Sequence, residues 1–433
     1  MTIAKYFLFI AGQIGMMSLA RFLLQWIIEY SRLEDSTGNV LFVAAAVGGT
    51  VFAFRIFDGI TDPIAGTVSD RWVRRGKRRQ TLLLFAFVVP AIGLILTFLP
   101  NHDMTNALRW GILASGLFIF FVGYTFYAIP YWSLVDDYSN GDEGRRRLLS
   151  NLLGAGLILA TAIGFGLSPV LVEKFGFTTS AIIFAAGALV LMPLPFFAAP
   201  ADAIPAPPKP DSEAHPSLWQ GVKIALQHRR FIGLTALFAG SQMSFTVMTA
   251  AASFIAIDLL GGELGDVPFI LGPLFAFALP CFFLVPAVSR KIGWEKGMML
   301  GSVGLGVIYC ISGSLGMTII GSPIITAAIL FSLGGPMVAL LFGLEGEGVV
   351  ACARERGGKD TISIYWGVFN LIVKSLNGIA LFITGWLTTL SREYGVIAIR
   401  SMSFVAGGCL LLGVIAYFII KRGETQPPAP EAT

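Results

Sequence analysis

Phe54-Arg55-Ile56-Phe57-Asp58-Gly59-Ile60-Thr61-Asp62-Pro63 puts two aspartates and an arginine inside an apolar segment running from about Asn39 to Thr67. On a helix, offsets of three, four and seven residues are near neighbours, so Arg55, Asp58 and Asp62 share a narrow arc. Gly59 and Gly66 lie on the same arc, which suits close packing against other helices rather than contact with lipid. An ionisable group at membrane depth costs several kcal/mol and marks a functional site by default. Two carboxylates and one arginine on one face point to a cation-binding site. The competing reading is a buried ion pair with Arg55 that only locks helices together.

The rest of the chain supports a membrane setting. It has 433 residues, 55% hydrophobic and 13% charged, with a mean hydropathy of +0.77. Runs of about 20 apolar residues recur throughout, as in a polytopic helical membrane protein. Twelve spans are predicted, at 6–29, 39–67, 80–100, 108–135, 148–173, 178–199, 229–260, 267–289, 296–317, 322–350, 361–390 and 395–420. Alternate loops carry most of the Lys and Arg residues, including Arg71 to Arg79, Arg145 to Arg147, Arg290, Lys291, Lys421 and Arg422. The positive-inside rule then puts both termini in the cytoplasm of a multi-pass protein of the cell membrane. The net charge of +4 comes from these juxtamembrane loops, so nucleic acid is not an expected partner. Cys281, Cys310, Cys352 and Cys409 are scattered without metal or disulfide spacing and read as apolar fillers. No A-x-A-like cleavage site follows the first apolar stretch, so no cleaved signal peptide is expected.

The chain divides in the middle. Residues 200–228 hold a Pro-rich stretch and then a short amphipathic helix starting after Ser217, with Trp219, Val222 and Leu226 on one side. This predicts an N-terminal six-helix bundle at 1–199, a cytoplasmic linker at 200–228, a C-terminal six-helix bundle at 229–422 and a disordered tail at 423–433. The loop after span 2, Gly66-Thr67-Val68-Ser69-Asp70-Arg71 with Gly76-Lys77-Arg78-Arg79, is echoed after span 8 by Ser289-Arg290-Lys291-Ile292-Gly293. Two pseudo-symmetric halves fit an alternating-access carrier with its site at the midplane.

Three local patterns carry a family resemblance: the span-2 motif with its basic loop, Tyr124-Thr125 with Ile129-Pro130-Tyr131-Trp132-Ser133-Leu134 in span 4, and Lys374 midway along span 11. The chain resembles the major facilitator superfamily and, within it, the glycoside–pentoside–hexuronide:cation symporters. The resemblance implies an all-α membrane fold and a coupling ion, Na⁺ or H⁺, at Asp58 and Asp62 with Thr61 and Thr125 as oxygen donors. It also implies that Lys374 links these carboxylates to the substrate site. A structural pair with an acidic residue is the competing role for that lysine. Ser363, Gly367, Asn370, Lys374 and Asn377 form one polar stripe of span 11.

The sugar-binding pattern departs from the family. The melibiose-type carboxylate of span 4 aligns with Ala128, the acidic position of span 1 falls near Gln13 and Ile14, and the basic position of span 5 falls near Leu153. Aromatic and basic groups remain. Tyr124, Tyr127 and Tyr131 form a stripe, which serves either packing or a ligand, beside Trp132. In span 1, Arg21 and Gln25 follow Gln13 and precede Glu29 on a ridge stepping by four. Arg21 either faces the cavity or pairs with Glu29 or snorkels outward. The expected substrate site is Arg21, Gln25, Tyr124, Trp132, Asn370, Lys374 and Asn377. With the carboxylates occupied by a cation, such a site suits an anionic solute. Gate contacts are expected from Asp70, Arg71, Arg147, Glu345 and Glu347.

The function so implied is cation-coupled symport of a small anionic or glycoside-like solute by a monomer. No cofactor beyond the ion is expected, and no enzyme activity, since no nucleophile–base pair, metal cluster or P-loop is present. The alternatives are a lysophospholipid or amphiphile carrier, and a non-transporting assembly or sensor protein on the same scaffold.

Overall fold

The computed structural model describes residues 1–200, 218–317, 322–356 and 362–422. Helices α1 (Ile3–Ser31), α2 (Ala44–Arg74), α3 (Gln80–Ala86), α4 (Val88–Thr97), α5 (Asn106–Ser139) and α6 (Glu143–Leu191) build the first half. A short helix, α7 (Leu218–Gln227), precedes the second half. That half comprises α8 (Arg229–Phe254), α9 (Val267–Phe282), α10 (Val285–Ile292), α11 (Trp294–Ser312), α12 (Pro323–Arg356), α13 (Ile362–Tyr394) and α14 (Val396–Arg422).

Among the described residues, ten helical stretches are long and apolar enough to cross a membrane. Two further crossings follow from the backbone. The α6 stretch is two helices, because Gly176 sits at φ 77°, ψ 171°, a conformation only glycine holds without strain. The 19-residue α11 supplies the other. Twelve crossings result. Several breaks have a sequence cause. Pro90 has no N–H to offer the Ala86 carbonyl, so one crossing splits into α3 and α4. Thr105 caps α5 by accepting from the Leu108 amide, and Asn140 ends it in the left-handed region at φ 48°. Asp142 then caps α6 through the Gly144 and Arg145 amides.

Some boundaries differ from the sequence-based expectation. The second crossing starts at Ala44 rather than 39, because Asp35 accepts from the Thr37 and Asn39 amides and holds a turn there. The ninth starts at Trp294, capped by Gly293 at φ 82°. Residues 201–217 and 423–433, and with them the Ser217 cap and the expected disordered tail, lie outside the described residues. Of the amphipathic face expected on α7, Leu226 is half exposed, while the Trp219 and Val222 side chains are not described.

The halves meet chiefly where α2 lies against α13, with smaller contacts of α6 against α9 and of α1 against α8. Small residues permit the first approach. A Cβ on Gly385 would come within 2.3 Å of the Ala44 carbonyl oxygen, and one on Gly48 within 2.7 Å of that of Leu381. At the end remote from the start of α1, the seal is ionic. Arg32 pairs with Asp258 at 3.3 Å and Glu29 at 3.7 Å, and Ser253 donates to Glu29 at 3.1 Å. Arg392 pairs with Glu34 at 2.6 Å. Among the described residues, every hydrogen bond and ion pair between the halves lies at this end or at mid-depth. At the opposite end, the ionic contacts among the described residues include Arg79 with Asp137 at 3.1 Å, and Arg230 with Glu295 at 2.7 Å and Glu355 at 2.6 Å, each within one half.

Gly385→Val is therefore expected to cost about 1–3 kcal/mol through overpacking. It should lower the thermal unfolding midpoint and increase thiol labelling of a Thr389→Cys reporter. An unchanged midpoint with unchanged labelling would show that α2 and α13 have slack at this point.

Candidate functional site

At mid-depth α2 presents its polar arc to α13. Asp58 is fully buried. Its carboxylate accepts from the Arg55 guanidinium at 3.2 Å and from the Thr125 hydroxyl at 2.5 Å. One turn on, Asp62 accepts from Thr125 at 3.4 Å. The Lys374 ammonium of α13 reaches both oxygens of Asp62, at 2.8 and 2.7 Å, and comes within 3.2 Å of Asp58. The lysine crosses from the second half to close the site. Its side chain is 13% exposed and that of Asp62 15%, so the pair is not fully sealed from the surroundings.

The donor set is hard: four carboxylate oxygens and the Thr125 hydroxyl, with an ammonium already among them. Such oxygens suit a monovalent cation or a proton. Thr61 lies on the same turn. Its hydroxyl donates to the Asp58 backbone carbonyl at 2.9 Å, which commits its proton to its own helix turn and leaves its oxygen lone pairs as acceptors.

A second polar layer lies beyond the carboxylates, towards the sealed end. Arg55 keeps its pair with Asp58 and stacks over Phe121 at 5.5 Å. Arg21 of α1 is not paired with Glu29, which the seal occupies. Its guanidinium lies over the Phe245 ring of α8 at 5.3 Å, and its Nε is buried without a partner among the described residues. Gln25 is buried, and both ends of its amide lack partners there. Asn377 accepts from Thr246 at 3.3 Å, and Asn370 is half-buried on the same stripe as Lys374.

The tyrosine stripe resolves into separate jobs. Tyr131 donates to the Phe9 carbonyl at 2.7 Å and Tyr127 to the Met192 carbonyl at 2.6 Å, so both brace α1 and the end of the first half. Tyr124 reaches the Met17 sulfur at 3.5 Å. Trp132 is half-buried and donates to Gln13 at 3.1 Å.

Among the described residues, the expected gate side chains Arg71, Glu345 and Glu347 make no hydrogen-bonding or ionic contact with one another. The side chains of Asp70 and Arg147 lie outside the described residues. Arg71 is exposed, and no hydrogen bond or ion pair links it to Glu345 or Glu347. Glu347 instead accepts from Ser289 at 2.8 Å on each oxygen, within its own half. Sequence reasoning missed Ser18, Thr246, Ser253 and Asp258, which matter only because α1 and α8 run side by side. Their one signal was the repeated spacing of polar residues along each helix.

Known proteins place this architecture. The fold matches a solved nucleoside transporter, NupG, with a TM-score of 0.68 at 15% identity, covering 98% of this chain and 100% of that one. It also matches the POT family transporter PepTSo, at 0.68 and 13% identity, with 98% of each chain covered. At such identities the likeness is one of fold. In sequence, the chain is 30% identical over 154 residues to the uncharacterized symporter YjmB of Bacillus subtilis (strain 168). It is 30% identical over 151 residues to the uncharacterized symporter sll1374 of Synechocystis sp.. These matches span about a third of this chain, and 32% and 26% of the relatives' own lengths. The family model for MFS/sugar transport proteins matches residues 11–418, nearly the whole chain. The chain is thus a multi-pass membrane transporter, not an enzyme, and it belongs to the MFS/sugar transport protein family of the major facilitator superfamily.

Proposed function

We propose that this transporter is a symporter in which Na⁺ or H⁺, carried as cargo at Asp58 and Asp62, drives uptake of a small anionic or glycoside-like solute across the cell membrane. The supporting observation is the Lys374 ammonium, 2.7 Å from Asp62 and 3.2 Å from Asp58. A coupling cation and this lysine compete for the same oxygens. When the cation takes them, Lys374 is displaced towards the solute, so ion and solute favour each other's binding. The two effects are equal by linkage, typically 5- to 150-fold. With three cationic side chains (Arg21, Arg55, Lys374) around two carboxylates, cation binding leaves the site more positive, which favours an anionic solute.

In this reading the termini are cytoplasmic, and the structure corresponds to a carrier closed on the outside. The protein acts as a monomer with no cofactor beyond the ion. Proteoliposomes with imposed Na⁺ or pH gradients test the coupling. Accumulation of a labelled solute should follow one of the two gradients, and equal uptake without either gradient would refute symport.

An amphiphile carrier is the second reading. It draws on an apolar recess of about 320 Å³ between α2, α3, α4 and α5, lined by Val68, Phe85, Val89 and Phe126. Competition by lysolipids and not by short-chain solutes would favour it.

A further inference from the structure

One face of α1 carries Ser18, Arg21 and Gln25, three and four residues apart, so that they stack along two turns. Ser18 and Gln25 are 7% and 3% exposed. The Ser18 hydroxyl, the Arg21 Nε and both ends of the Gln25 amide have no hydrogen-bond partner among the described residues. A buried polar group without a partner is costly, and four such atoms on one face mark a surface built to receive something polar. Nothing on this face neutralises Arg21. The nearby carboxylates, Asp58 and Asp62, are already engaged by Arg55 and Lys374, and Glu29 is engaged by Arg32 and Ser253. Arg55 adds a second guanidinium within electrostatic reach of Arg21, and its own Nε is buried without a partner.

We propose that Ser18, Arg21 and Gln25 form the subsite that selects the solute, gripping an oxyanion with Arg21 and a hydroxyl group of the same molecule with Gln25. The proposal rests on the symporter reading above and narrows its substrate class. Lys374, which the sequence suggested as half of the anion grip, is engaged by the carboxylates until the cation displaces it, whereas Arg21 is uncommitted in either condition. The anion is therefore held on the α1 side. The Phe245 ring beneath Arg21 fixes the guanidinium plane, leaving its edge for a carboxylate, sulfonate or phosphate. Gln25 presents an acceptor as well as a donor, so an anion without an O–H group leaves the amide oxygen unmet. Ser18 offers a further hydroxyl on the other side of Arg21. The matching solute is a small hydroxylated oxyanion, its O–H about one helical turn, roughly 5–6 Å, from the charge.

The test uses the purified full chain and equilibrium binding to four probes: D-glucuronate, D-glucose 6-phosphate, D-glucose and acetate, with and without Na⁺. At least one hydroxylated anion should bind tenfold or more tightly than glucose and acetate. Arg21→Gln should erase that preference, a loss of roughly 10- to 100-fold, the range of a charge-assisted hydrogen bond. Arg21→Lys should retain part of it. Gln25→Leu should weaken the hydroxylated anion and leave acetate unchanged, and Gln25→Glu should repel both anions while sparing glucose. If Arg21→Gln does not fold, the two Gln25 variants decide alone. Glucose binding as tightly as the anions, an undiminished preference in Arg21→Gln, unchanged binding in both Gln25 variants, or no binding of any probe to the wild type overturns the subsite. Binding that ignores Na⁺ and pH yet keeps the Arg21-dependent preference would instead sink the symporter reading and leave the subsite standing.

Discussion

Asp58→Asn is expected to abolish gradient-driven accumulation while equilibrium exchange of solute survives. Asp58 is the more deeply placed of the two carboxylates; it accepts from Arg55 and Thr125 and lies 3.2 Å from the Lys374 ammonium. An amide cannot carry the negative charge that holds a cation, and it cannot take up a proton. Coupling of the usual size, about 5- to 150-fold, should therefore vanish in both directions, so that the ion no longer tightens solute binding and solute no longer tightens ion binding. The solute contacts proposed on α1 and α13 are untouched by the substitution, and counterflow in proteoliposomes should stay within about tenfold of wild type, the effect of roughly 1.4 kcal/mol. Removing one partner of a buried ionic cluster also destabilises the fold. Counterflow and accumulation are accordingly read on the same vesicles, and their ratio is the measurement. Wild-type accumulation in Asp58→Asn would remove the ion from this site.

Much of this site was legible because membrane-buried charge is rare. Arg55, Asp58, Asp62 and Lys374 stood out against apolar sequence, and helical spacing alone put the first three on one arc. The twelve crossings were legible for the same reason, from hydropathy and loop charge. The roles of single side chains were less so. Thr61 and Thr125 look equivalent in sequence. One hydroxyl spends its proton on its own helix carbonyl, and the other reaches across to α2, a difference set by which face of each helix is packed. Tyr127 and Tyr131 share a stripe with Tyr124, yet two carbonyls that lie far off in sequence, those of Met192 and Phe9, claim them as struts. The gate expectation rested on a state with the halves joined at the end where α1 begins. A sequence contains every state of a carrier, and this structure holds the one sealed at the far end by Arg32, Asp258, Glu34 and Arg392.

The sharpest consequence of the geometry is non-additivity between Lys374→Ala and Asp62→Asn. Lys374 donates to both oxygens of Asp62 from the opposite half of the molecule, 312 positions away in the chain. Breaking such a buried pair from one side leaves a charge in an apolar setting, at a cost of about 3–5 kcal/mol, whereas removing both charges is milder. Lys374→Ala leaves two carboxylates one turn apart, with Arg55 reaching only Asp58. Asp62→Asn leaves the ammonium, but Asp58 stays within 3.2 Å and absorbs part of the loss. The lysine substitution should thus be the more damaging single change. The double variant should recover at least about 0.5 kcal/mol over the sum of the two, the threshold above which neighbours are coupled. Unfolding measured without added Na⁺ and near neutral pH gives the cycle. Adding the coupling ion should then rescue Lys374→Ala preferentially, because the ion supplies the positive charge that the missing ammonium provided, and any ligand that binds only the folded state raises its stability. Strict additivity, with no selective rescue by either Na⁺ or acid, would mean that the lysine and the ion do not compete for one set of oxygens, and the coupling scheme would fall with it.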